Sequence, residues 1–344
     1  MFDCLRCMIG PNLNIPNPIR AMATSSVADA LRYLLISGTW TTPKSRIYSS
    51  LNTSYTPNDI FNSGITTGLN NYVWNFFPYL GKILMGGFFT SYNGVVANYF
   101  LEVNKDGTFS RTGIGSGFDG SVRAIYIQPD GKVICAGSFS SYNGVSVNKI
   151  VRLNTDFTID ATFNFGSGFN SEVNVMVGDG THIYLVGGFT VFNGVNRNRF
   201  VKIRISDGAD DTGVNSGFNA TCFGIAIKDD FIYVTGEGIT TYKGAAIPSN
   251  ICKINKNTLD ADATFTANLS FGTNARTYCY NQITDTHIYI HGNFLSVGGI
   301  SKAYVARISL DGVIDVTFPA VPPNNNVLFG KLINKNTRYA IGGT

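Results

Sequence analysis

Val133-Ile-Cys-Ala-Gly-Ser-Phe-Ser-Ser-Tyr-Asn-Gly-Val145 recurs along most of this chain with small changes. The preceding copy is Ile83-Leu-Met-Gly-Gly-Phe-Phe-Thr-Ser-Tyr-Asn-Gly-Val95, and the following one is Ile183-Tyr-Leu-Val-Gly-Gly-Phe-Thr-Val-Phe-Asn-Gly-Val195. Weaker copies occupy residues 233–244 and 288–300, and fragments appear at 34–40 and 339–344. The fifth position of each copy falls at Gly38, Gly87, Gly137, Gly187, Glu237, Gly292 and Gly343, giving steps of 49, 50, 50, 50, 55 and 51. A fixed period of this size marks a repeat architecture, in which stacked units bury faces that none could bury alone.

One unit runs from Ser121 to Asn170. Residues 121–128 place apolar side chains mostly at alternate positions, as a half-buried strand requires. Pro129-Asp-Gly-Lys132 is a turn: Pro presets φ and Gly accepts a positive φ. Residues 132–137 form a continuous apolar run that suits a strand covered on both faces. Asn143-Gly144 closes a hairpin, residues 149–153 form a third strand, and residues 158–163 supply a short fourth. Three or four antiparallel strands per fifty residues, without helical periodicity, predict the blade of a β-propeller. The recurrent Gly of the second strand is expected to let neighbouring sheets approach closely.

Gly-Gly-x-Phe, Tyr-Asn-Gly-Val, Val151-Arg-Leu-Asn154 and Asp160-Ala-Thr-Phe-Asn164 together resemble the delta-60 type of bacterial β-propeller repeat. The resemblance covers residues 33 to 344 and is strongest from 81 to 218. Asp-x-Thr-Phe returns as Asp262-Ala-Thr-Phe265 and Asp315-Val-Thr-Phe318, with a looser Asp59-Ile-Phe61. The copy at Gly236-Glu-Gly-Ile239 departs furthest, lacking the aromatic, and Lys243 replaces its Asn. The resemblance implies a propeller in bacterial surface or phage-associated proteins, with no shared catalytic residues.

Seven copies of one repeat in 344 residues predict a single all-β disc in place of two ordinary domains. One blade per copy gives seven; six results if the first and last copies share one. Residues 1–20 read as an extended, proline-punctuated docking arm, and residues 21–344 as the propeller, closed by joining N- and C-terminal strands so that no sheet edge is left bare. Only 14% of the residues are charged, 13% are aromatic, and Asn, Gly, Ser and Thr supply the polar surface, as in phage fibres and adhesins. The net charge of +4 is small and dispersed, so nucleic acid is not an expected partner. No apolar run is long enough to span a bilayer, and membrane insertion is not expected. The first ten residues have neither a basic n-region nor an unbroken apolar core, so a conventional export signal is not expected.

Chemistry-bearing residues are sparse. The six cysteines are Cys4, Cys7, Cys135, Cys222, Cys252 and Cys279; Cys135 is expected to be buried, and no disulfide framework is expected. Cys4-x-x-Cys7 lacks the second pair or nearby histidines that a zinc site needs. His182 and His287 share one slot of two repeats, Thr-His-Ile-Tyr, which predicts a structural role, and His291 reads as an interior histidine. Asp207-Gly-Ala-Asp-Asp211 offers calcium-type oxygen ligands but aligns with a polar inter-strand turn. Gly115-Ser-Gly117 and Gly166-Ser-Gly168 precede no helix and so cannot act as phosphate loops. Trp74, Phe76, Phe77, Tyr278 and Tyr280 are aromatics that could stack on sugar, yet they fall in first strands where inter-blade core is expected. No elbow, zincin or nucleotide motif occurs. The irregular stretches 42–56, 267–276 and 319–326 are the candidate binding surface, because the repeat does not dictate them.

These observations predict a non-enzymatic propeller with no cofactor, metal or catalytic residue. It is expected in a phage tail or fibre, held by residues 1–20 to other virion proteins and presenting a surface for protein or host glycan. A bacterial surface adhesin or carbohydrate-binding protein is the alternative, and a glycan lyase or hydrolase the third reading.

Overall fold

A computed structural model describes residues 66–318, except 105, 111–112, 214–216, 249, 266–268, 272–274 and 280–282, together with the strands Ile19–Thr24, Leu34–Gly38, Tyr48–Ser49, Val327–Ile333 and Arg338–Gly343. Every regular element among them is a β-strand. Cys4, Cys7 and most of the expected arm lie outside the described residues, whereas Ile19 and Arg20 belong to the strand Ile19–Thr24.

Five repeats have all three strands among the described residues, and each builds the same antiparallel sheet in the order first, second, third strand. In the Gly137 repeat these are Val122–Ile127, Val133–Gly137 and Ile150–Leu153. The Gly87 repeat has Val73–Tyr79, Lys82–Gly87 and Phe100–Val103, and the Gly187 repeat has Val173–Gly178, His182–Gly187 and Phe200–Arg204. The last two are Cys222–Lys228, Phe231–Gly236 and Ile251–Asn255, then Thr277–Tyr278, His287–Gly292 and Val305–Ser309. The second strand is central and buried throughout, which is why it reads as an unbroken apolar run.

Among the described residues a fourth strand forms only in the Gly87 repeat, as Phe109–Ser110. Elsewhere it shrinks to one bridge, such as Leu153↔Ile159 or Ile308↔Ile314. The Asn-Gly turn also differs from expectation. It does not join the second strand to the third; it closes a separate two-stranded hairpin, Ser141–Tyr142 with Val145–Ser146, placed between them. Asn143 and Gly144 have φ of 49° and 79°, the pair of positive values that a two-residue type I′ turn demands.

The recurrent glycine has another cause than the expected one. A Cβ on Gly137 would collide with the carbonyl oxygen of Ser121 in its own repeat, and Gly187 and Gly292 face the carbonyls of Glu172 and Arg276 in the same way. Close approach between repeats belongs instead to Gly86, whose Cβ would lie 2.8 Å from Val122 Cγ1. The register also corrects the fourth glycine: Gly236, not Glu237, pairs with Cys222 as Gly187 pairs with Val173. Gly238, at φ 70°, is then the extra residue, and Ile239 fills the fully buried site held elsewhere by Phe89, Phe139 and Phe189.

Each hairpin is fastened to the core. The Tyr142 hydroxyl donates to the Phe157 carbonyl at 2.9 Å, and Tyr242 to the Leu259 carbonyl at 2.9 Å. Phe157 and Leu259 have positive φ, which turns their carbonyls inward towards the phenols. From the other side, Asn143 Oδ1 accepts the Gly117 N–H at 2.9 Å, so the Gly-Ser-Gly segment is a seat for the turn asparagine. Cys135, Cys222, Cys252 and Cys279 are buried and are not in disulfides.

The chain packs as two compact units, residues 1–147 with 151–160 and 331–344, and residues 148–150 with 161–330. In the first, Val73–Tyr79 lies beside Val122–Ile127; in the second, Cys222–Lys228 lies between Val173–Gly178 and Thr277–Tyr278. Ile19–Thr24 pairs with Leu34–Gly38 and approaches Arg338–Gly343, although the two ends form separate sheets. Among the described residues no helix is long and apolar enough to cross a membrane.

Candidate functional site

Most of the charged residues serve the sheets. Asp160 receives Arg152 Nε at 2.8 Å and Lys132 Nζ at 2.8 Å, and Glu102 receives Lys82 at 2.6 Å. Asp262 pairs with Lys253 at 2.9 Å, and Asp315 pairs with Arg307. Asp-x-Thr-Phe is therefore a structural motif: its carboxylate neutralises a third-strand cation and caps its own turn through Thr264 or Thr317. His182 occupies the same system, with Nε2 2.8 Å from Asp211 and Nδ1 2.9 Å from Thr181 Oγ1; His287 repeats it with Asp315 and Thr286. His291 is fully buried and stacks on Tyr278 at 5.5 Å.

The acidic run is divided among separate partners. Asp207 accepts from Arg204, Asp210 from Arg197, and Asp211 pairs with His182 and Lys202. Hydrogen bonds from Arg204 and the Ala209 N–H hold the Asp207 carboxyl at about 2. The three carboxylates thus serve the turn expected from their alignment.

One set of positions keeps its backbone while its side chains vary from repeat to repeat. In every repeat the N–H after the second-strand glycine donates to the carbonyl just before the first strand: Phe88 to Tyr72 at 2.9 Å, Ser138 to Ser121 at 3.0 Å, Gly188 to Glu172 at 3.0 Å, Glu237 to Thr221 at 3.1 Å, and Asn293 to Arg276 at 3.2 Å. Two further positions adjoin this bond. A β-bulge at Trp74, Arg123, Asn174 and Phe223 breaks the register of the first strand and re-aims those side chains. The residue before the third strand is left-handed in all five repeats: Tyr99, Lys149, Arg199, Asn250 and Tyr304 have φ between 64° and 74°.

The backbone of these lead-in positions is constant and their chemistry is not. In the Gly87 repeat all four are aromatic. Tyr72 stacks on Phe88 at 5.4 Å and 16°, Trp74 meets Tyr72 edge-on at 5.3 Å, and Tyr99 meets Phe88 edge-on at 6.2 Å. Phe88 is 43% exposed, the other three half-buried. In the second unit, Arg276 bonds Glu237 at 2.6 Å and lies 4.5 Å above the Phe223 ring. The Gly137 repeat carries instead Ser121 bonded to Ser138 at 2.8 Å, with Arg123 on the bulge.

Of the aromatics singled out in sequence, Trp74 belongs to this surface, Phe77 is half-buried and Tyr278 is core. The Phe76 side chain and Tyr280 lie outside the described residues. Within 267–276, Leu269, Phe271 and Ala275 are buried, so the described part is core apart from the exposed Ser270 and the half-buried Arg276. Stretch 319–326, and 42–56 except for Tyr48–Ser49, are outside the description. Tyr72, Phe88 and Tyr99 were missed because the repeat was read for what its copies share; comparing equivalent positions for what differs would have found them.

Residues 81–109, 128–163 and 285–318 match the model described as "Domain of unknown function (DUF5122) beta-propeller". The chain carries β-propeller repeats. No curated protein matches it in sequence. Among solved structures, the propeller chain is similar to PorZ, an essential bacterial surface component of the type-IX secretion system of Porphyromonas gingivalis, with a TM-score of 0.54 and 11% identity over 94% of this chain and 45% of that one. It is also similar to the extracellular domain assigned to a hybrid two-component system, BT4673, of B. thetaiotaomicron, with a TM-score of 0.50 and 12% identity over 95% of this chain and 37% of that one. The propeller chain thus spans less than half the length of either, and at these identities the likeness is one of fold.

Proposed function

We propose that this β-propeller is a non-catalytic recognition module at a bacterial cell surface, engaging its ligand through the lead-in positions. The observation that carries this reading is the hydrogen bond made identically in five repeats beneath five different sets of side chains. Side chains that the repeat does not hold constant are the ones open to another purpose. The carboxylates and histidines that hydrolysis would use are tied into sheet-stabilising pairs at Asp160, Asp211, Asp262 and Asp315, which favours binding over turnover.

The setting is supported by the company of the fold, since both similar structures come from surface or extracellular bacterial proteins. This supports the surface alternative better than the tail or fibre setting expected from composition. We retain as parts of the proposal the delta-60 repeat type, a single closed disc of seven or six blades over residues 21–344, and a docking arm at residues 1–20 that attaches it to neighbouring surface proteins.

Protease shaving of intact native cells, followed by fractionation and immunodetection, tests the reading. The chain should be accessible from outside and retained with the envelope. Recovery only from the cytosol, or only from virions, overturns it, and sustained turnover of a surface polysaccharide by the purified chain overturns its non-catalytic part.

A further inference from the structure

The backbone of the repeat does not require the four aromatics of the Gly87 repeat. Their equivalents in the next repeat are Ser121, Arg123, Ser138 and Lys149, on the same backbone, so the sheet forms without rings at any of these places. Phe88 holds 43% of its surface in water although it packs on Tyr72 and Tyr99. Tyr99 keeps a bulky side chain at φ 64°, where glycine would be unstrained. Trp74 Nε1 is buried and has no hydrogen-bond partner among the described residues.

We propose that Tyr72, Trp74, Phe88 and Tyr99 form a subsite for a neutral sugar ring of a surface polysaccharide, an assignment that rests on the recognition reading above. A pyranose presents polarised C–H groups on one face, which suit the electron-rich face of an aromatic ring. Tyr72 and Phe88 are stacked on one another at 5.4 Å, so the cluster can offer only an outer ring face as a platform and is not a cage around a cation. Phe88 is the one strongly exposed ring of the group, and that area is small for a stable protein interface.

Affinity electrophoresis of the full chain in gels containing glucan, mannan or galactan tests the assignment. At least one of these neutral polysaccharides should retard the protein, and Phe88→Ser or Tyr99→Lys, each copying the next repeat, should weaken retardation at least tenfold with the melting temperature retained. Tyr304→Lys, at the equivalent position of a distant repeat, should leave retardation in place. No retardation by any of the three, or retardation that survives the Phe88→Ser/Tyr99→Lys double variant, overturns the sugar assignment. If no sugar binds but labelled protein still binds intact cells and Phe88→Ser abolishes that binding, the platform serves a protein or cation: the assignment falls and the recognition reading stands. Absence of cell binding by the wild-type chain counts against both.

Discussion

The Tyr142 hydroxyl is a local test of how each hairpin is held. Its bond to the Phe157 carbonyl is buried, and burial also pushes the phenol's pKa well up, so it donates at any pH the fold survives. Tyr142→Phe should cost about 1 kcal/mol in urea unfolding. Phe192, which fills the same position without a hydroxyl, shows that the ring alone suffices for packing. Asp160 has larger consequences because Arg152 beside it is also buried. Asp160→Ala should cost about 3–5 kcal/mol by stranding that guanidinium, again read from urea unfolding. Asp179 and Asp315 set the acid limit. At Asp315 burial opposes the charge, but hydrogen bonds from Thr317 and Arg307 outweigh it; at Asp179 burial is outweighed by the His182 and Thr181 N–H groups, and both carboxyls sit at about 2 against an ordinary 3.8. A folded pKa below the unfolded one gives stability that is present above about pH 4 and lost as pH falls towards 2. Thermal melting should therefore drop across that interval, and Asp315→Asn should make the drop shallower.

At the scale of the element, the bulge and the glycine opposite it act together. Gly137 lies against the Ser121 carbonyl because the first strand bulges at Arg123, and an added methyl has no space. Gly137→Ala should destabilise the chain by about 1–3 kcal/mol, measured by chemical denaturation. The sequence reading could find this glycine by its spacing but placed its contact between sheets, since a one-residue bulge leaves no mark on a period of fifty. The second strands, the turns and the buried Cys135 were legible because apolar runs and Asn-Gly pairs report directly on burial and φ. The separate hairpin was not: two-residue strands such as Ser141–Tyr142 are too short to show alternation. Asp119, Asn70 and Asn170, each accepting two hairpin N–H groups, were likewise hidden, because only the fold brings them to the turn. Gly236 was misplaced because an inserted Gly238 shifts the count without disturbing the pattern.

For the whole molecule, repetition separates structure from recognition. Residues that recur, such as Asp160, Asp262 and Asp315 or Phe89, Phe139 and Phe189, are accounted for by pairing and packing. The lead-in positions recur in backbone only, so the side chains there are not dictated by the repeat. The exposed hairpin tips at Val95, Val145 and Val195 are the contrasting surface, since the same side chain recurs in these three repeats, with Ala245 and Ile300 at the equivalent places. Site-specific photo-crosslinking separates the two most directly. A photoreactive amino acid placed singly at Phe88, Ser138, Glu237 and Asn293, or at Val95, Val145 and Val195, would be irradiated on intact cells. Crosslinks to a surface component from the first group and not the second are predicted; crosslinks from the hairpin tips alone would contradict recognition through the lead-in positions.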